Sequence, residues 1–191
     1  NCKGNHSYNR VCPFCAKFQN IPSWENSVAN KQTKPRVPGI SDPELLRPRV
    51  LKYLVELVEE KPPLGERHEE LLRELIFEAY QNANGDLGPG EQAFLNEIYN
   101  YAASYGAMEE FFEDPQVSEI MVNGPNQIFV ERHGKMIMTG AKYDSEIQLR
   151  LAINHIINPF GRYVNYNHPM VDAHLKDGSR LNAVIPPVAQ Q

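Results

Sequence analysis

Beyond residue 15 the chain contains no cysteine; its three thiols, Cys2, Cys12 and Cys15, sit together at the start. So few thiols, with no apolar stretch of signal type at the N-terminus, lead us to expect a reducing compartment. The chain opens on Asn1 rather than Met, and residues upstream of it are expected. No uninterrupted apolar run approaches ~18 residues, which excludes a membrane-spanning helix, although 41% of the chain is hydrophobic. No Gly-x-x-x-x-Gly-Lys-[Ser/Thr] stretch occurs anywhere, so the chain carries no loop of that kind to cradle a phosphate. Nothing in the chain resembles a nucleic-acid-binding surface except, weakly, the basic first forty residues, and no nucleic-acid partner is expected.

What is present is enough for one or two domains with a real core in 191 residues. The net charge of −5 conceals three unlike segments. Residues 1–40 hold six Lys/Arg against the single acid Glu25, residues 41–113 hold six against sixteen acids, and residues 114–191 hold seven of each. The segments expected are an arm and linker over 1–40, a helical bundle over 41–112 and a sheet domain over 113–191.

In the arm, Cys2, His6, Cys12 and Cys15 have the chemistry of a tetrahedral zinc site. Cys12-Pro-Phe-Cys15 is a two-residue-spaced thiolate pair of the kind found in zinc knuckles, and Cys2 and His6 would complete the set. The same pair also reads as a redox couple, though no βαβ pattern follows it, or as free thiols. Lys31 to Gly39, with two prolines and three basic residues, reads as a linker.

Three amphipathic helices are expected next. Ser41-Asp42-Pro43-Glu44 supplies a cap, a proline and an acid in the first turn. Leu51, Leu54, Val55 and Val58 then recur at helical spacing until Lys61-Pro62-Pro63. A second helix runs from about Glu66 to Ala83, with Leu71, Leu72, Leu75, Ile76 and Ala79 on one face. A third runs from about Glu91 to Tyr105, carrying Phe94, Leu95, Ile98, Tyr101 and Ala102. Short loops between them predict an antiparallel bundle. The loop from Asn84 to Gly90 lacks the closing glutamate of a calcium loop, so that reading is rejected. The acid-rich surface of this segment reads as a solvated face or, alternatively, a docking face.

The last segment predicts strands over Ser118–Asn123, Gln127–Arg132 and Lys135–Thr139, a helix over Asp144–Asn158, and then a hairpin. Val171, Ala173 and Leu175 alternate with Asp172, His174 and Lys176, the period of a half-buried strand. Lys176-Asp177-Gly178-Ser179 is the turn, with Leu181, Ala183 and Ile185 on the inward face of the return strand and Pro186-Pro187 ending it. The fold class is therefore α+β, a three-helix bundle followed by an antiparallel sheet with a helix on one face. Arg180 leaves the turn at the start of the second strand, where a permanently charged fork suits phosphate. The plain alternative is a surface arginine paired with Asp177 or Asp172.

Met170-Val-Asp-Ala, Asp177-Gly-Ser-Arg-Leu-Asn-Ala and Ile185-Pro-Pro resemble the N-terminal half of secretion-system ATPases of the type II/type IV superfamily. A second block agrees, with Asp114-Pro115, Val117 and Glu119-Ile-Met-Val-Asn-Gly between Glu109 and Gly124. The closest branch is the CpaF-like one that powers tight-adherence (Tad/Flp) pilus assembly. The resemblance covers about residues 105–188 well, 43–104 loosely and 1–40 not at all.

That resemblance implies a PAS-like sheet domain here and a P-loop well downstream of Ile185-Pro-Pro, so ATP and magnesium would bind only with a C-terminal motor domain. It implies that Arg180 approaches the nucleotide phosphates across the cleft between the two domains, with Arg162, after the helix-ending Gly161, as a second phosphate candidate. It implies a homohexamer, a cytoplasmic place at the inner membrane, and contacts to the motor domain, to neighbouring subunits and to an inner-membrane platform protein. Asp172 and His174 share a strand face and lie near His168, which invites a metal reading. The family commonly has arginine at the position of His174, which argues against it. The rival reading is a stand-alone PAS-like sensor or adaptor with a zinc-knuckle arm.

Overall fold

The structure is a computed structural model and describes residues 39–189. It is α+β, with five α-helices and two small antiparallel sheets among those residues.

The first helix, α1 (Pro43–Glu60), starts where its sequence asks it to. Asp42 accepts a hydrogen bond from the Glu44 amide at 3.0 Å, and Pro43 takes the first position, where a missing N–H costs nothing. Its buried stripe includes Leu51, Leu54, Val55 and Val58 as expected, extended upstream by Leu46 and Val50. The second helix, α2 (His68–Asn82), buries Leu72, Leu75, Ile76 and Ala79. The third, α3 (Glu91–Ala102), buries Phe94, Leu95, Ile98 and Ala102, and also Tyr99. It ends three residues before the expected Tyr105. Gly106 follows in the left-handed region at φ 57°, with the Tyr143 ring packed so close that a Cβ there would meet it at 2.7 Å. A short further helix, α4 (Glu109–Phe112), leads into the strands.

Strands β1 (Val117–Val122), β2 (Ile128–Arg132) and β3 (Lys135–Met138) form an antiparallel meander in that order. The tight turn before β3 puts His133 at φ 51° and Gly134 at φ 72°, two successive positive φ values as a two-residue hairpin loop requires. Helix α5 (Glu146–Ile157) is capped by Ser145, which accepts from the Gln148 amide at 3.2 Å. Strands β4 (Met170–His174) and β5 (Arg180–Val184) are the expected hairpin.

One expectation is corrected. The strands make two sheets, β1–β2–β3 and β4–β5, rather than one. The hairpin joins the meander by side-chain packing instead of a ladder: Val171, Ala173 and Ile185 share a buried cluster with Ile128, Val130 and Ile157. Alternation fixes which face of a strand is buried, and both arrangements satisfy it equally.

Helix α5 packs on α1 and α3, so the helices of the first segment share buried faces with the second. Polar ties follow the same seam. Arg150 pairs with Glu59 at 2.5 Å, Asn165 Nδ2 donates to the Glu59 carbonyl at 2.8 Å, and the Gly65 amide donates to the Asn158 carbonyl at 2.9 Å. The buried Tyr143 hydroxyl donates to the Tyr105 carbonyl at 2.9 Å. Burial pushes the Tyr143 hydroxyl pKa well above that of a free phenol, keeping it a donor.

Candidate functional site

The site is built on the outer face of the β4–β5 hairpin. Its register pairs Met170 with Val184, Asp172 with Asn182 and His174 with Arg180. Val171 and Ala173 point inward and are buried, so the alternation turns Asp172, His174, Arg180 and Asn182 to solvent. The turn holds itself together: Gly178 sits at φ 90°, and Asp177 accepts from the Ser179 amide at 2.9 Å and the Ser179 hydroxyl at 3.0 Å. Asp177 is thus engaged within the turn, and Asp172 is the carboxylate that meets Arg180.

That meeting is two-pronged. Arg180 Nε donates to Asp172 Oδ1 at 3.0 Å and Nη2 donates to Oδ2 at 2.5 Å, a diagonal cross-strand fork. Both side chains stay open to water, 65% and 44% exposed, which limits what the pair adds to stability. The Arg180 hydrogen bonds hold the Asp172 carboxyl below the usual carboxylate range. Partial desolvation opposes this, and the charges of Arg180, His174 and Arg162 reinforce it.

Arg162 follows the end of α5, and its charge is the smallest of the influences on the Asp172 carboxyl. A single helical turn, Asn158–Phe160, follows α5, and Gly161 then takes a left-handed φ of 68°. The Arg162 amide bonds back to the Ile157 carbonyl at 3.3 Å, which reverses the chain so that Arg162 emerges exposed. The loop is clasped from beneath by Asn154, buried on α5. Asn154 Oδ1 accepts from the Val164 amide at 3.1 Å and its Nδ2 donates to the Val164 carbonyl at 3.3 Å. Asn165 continues the lock, accepting from the Asn167 and His168 amides at 3.1 and 2.8 Å while its Nδ2 reaches Glu59.

Of the two residues singled out for phosphate, Arg180 closes on Asp172, whereas Arg162 stands exposed past the end of α5. Asn154 and Asn165 were missed. The signal for Asn154 was a polar residue on the apolar stripe of α5, between Leu151 and Ile157; a lone asparagine there asks for a backbone partner. Below the charged end, Met170 and its register partner Val184 are exposed, with Tyr166 and Val188 also open to solvent.

Cys2, His6, Cys12 and Cys15 lie outside the described residues. His168 faces Tyr163, its Nδ1 3.4 Å from the Tyr163 hydroxyl, while Asp172 is committed to Arg180. Among the described residues no group of three or more His, Cys, Asp or Glu side chains is placed to hold a metal ion. No helix among them is long and apolar enough to cross a membrane.

Fold and site together define an α+β unit whose outer hairpin face presents an arginine fork closed on an aspartate. No family model matches the sequence. The chain is similar to an uncharacterized protein of Methanocaldococcus jannaschii, MJ0900, being 28% identical over 160 residues. That similarity takes in 71% of this chain but only 28% of the archaeal protein, so the chain spans less than a third of that relative's length.

Proposed function

We propose that the chain is the N-terminal regulatory and assembly region of a hexameric P-loop ATPase that powers pilus assembly or type II/IV secretion. The observation that carries this reading is the exposed Arg180 fork, held at the mouth of the β4–β5 hairpin by strand register and closed on Asp172. A guanidinium held at a domain surface by strand pairing is suited to neutralising the charge of a terminal phosphate in a closing cleft. The apolar base formed by Met170 and Val184 offers the adjoining contact. In this reading the chain does no hydrolysis by itself, since it has no phosphate-cradling loop. Its work is mechanical: it rocks against a C-terminal motor domain as ATP and magnesium bind and leave, in the cytoplasm at the inner membrane, touching neighbouring subunits and a platform protein. A zinc ion on Cys2, His6, Cys12 and Cys15 belongs to the same proposal, as a clamp on the arm.

The reading is tested by the reading frame itself. Translation past Gln191 is expected to give Gly-x-x-x-x-Gly-Lys-[Ser/Thr] in a strand-to-helix context. A complete coding sequence with no such stretch removes the motor and the proposal with it.

A further inference from the structure

The Arg180 fork is already occupied. Its Nε and Nη2 edge, the edge that matches two oxygens of one anion, is taken by both oxygens of Asp172. We propose that Asp172 is a resident stand-in for phosphate, holding the fork in shape until a terminal phosphate of a polyphosphate ligand displaces it. This rests on the reading of Arg180 as a phosphate contact and adds the regulation of that contact.

Four features support an exchangeable pair. Both side chains are largely exposed, so breaking their contact opens no cavity and strands no buried charge. The charge balance leaves room for a more highly charged anion: the fork holds a single carboxylate, and His174, the register partner of Arg180, stands beside it. Asp177, the other acid of the turn, is engaged by Ser179 and does not compete for the fork. The two Cα positions are fixed by the β4–β5 register, so exchange needs only a side-chain rotation of Asp172, without backbone movement. A phosphate carries more charge than the carboxylate and offers the same pair of oxygens to the fork. At low ligand concentration the aspartate keeps the arginine ordered and prevents it from trapping unrelated anions.

The test titrates tripolyphosphate into the purified full-length protein at fixed ionic strength, following the heat of binding. Four proteins are compared: wild type, Asp172→Asn, Arg180→Ala and the double variant, with circular dichroism to confirm that each is folded. Asp172→Asn is expected to bind on the order of tenfold more tightly than wild type, the scale of one charged competitor removed. That gain should vanish in the double variant, and sodium sulfate at the same ionic strength should not reproduce it. Equal affinity in wild type and Asp172→Asn, with both weakened by Arg180→Ala, overturns the stand-in while leaving Arg180 a phosphate contact. A gain that survives removal of Arg180 overturns the reading of Arg180 itself, as does the absence of saturable binding in all four proteins.

Discussion

Glu59 and Asp172 are each paired with an arginine, yet their carboxyls move in opposite directions. Asp172 is exposed, and the hydrogen bonds from Arg180 dominate, so its carboxyl ionises more readily than usual. Glu59 lies under the junction of α1 and α5, its side chain 16% exposed, and burial outweighs the pull of Arg150, so its pKa is raised. The sign follows. A carboxyl raised in the folded state binds more protons folded than unfolded, so the protein loses stability as pH rises from the ordinary glutamate range through the folded value. Glu59→Gln removes that titration while keeping the shape. The melting temperature of wild type relative to Glu59→Gln should therefore fall as pH rises from the ordinary glutamate range. A relative stability that is flat or rises with pH there contradicts the assignment. Asp172 behaves conversely: its stabilisation is present above the ordinary aspartate range and is lost as pH falls through its lowered value.

At the scale of elements, the spans of α1, α2, α5 and the five strands follow closely from apolar spacing and from punctuation by Asp42-Pro43, Ser145, Gly161 and Gly178. Helix α4 was invisible to that reasoning, because four residues make little more than one turn and leave no period to read. The division into two sheets was invisible too, since a strand's pattern names its buried face and not its neighbour. The loop after α5 depends on Asn154, which satisfies both the amide and the carbonyl of the buried Val164. Asn154→Ala leaves these groups without partners and should cost about 1–3 kcal/mol, read from urea denaturation. Asn154→Asp keeps the acceptor but loses the donor and should also be destabilised. A change below about 0.5 kcal/mol in Asn154→Ala, the range of an ordinary surface substitution, would mean the clasp is dispensable.

For the whole molecule, the seam between α1–α3 and the strand-bearing segment is packed by α5 and tied by Glu59, Arg150, Asn165 and Tyr143. The helices and the strand-bearing segment are therefore held together as one packed unit. The sequence exposed the hairpin, the turn and the position of Arg180, because these are local. It did not decide between Asp177 and Asp172 as the partner of Arg180, because the diagonal contact depends on register and on Ser179 engaging Asp177. The most direct test of the account is ATP turnover by the full-length protein carrying Arg180→Ala. Turnover should fall by about tenfold or more, the scale of one charged phosphate contact, with the fold intact because the side chain is exposed. Arg180→Lys should recover only part of it, since an ammonium lacks the fork. Unchanged turnover in Arg180→Ala contradicts the account and makes Arg180 a surface partner of Asp172 alone.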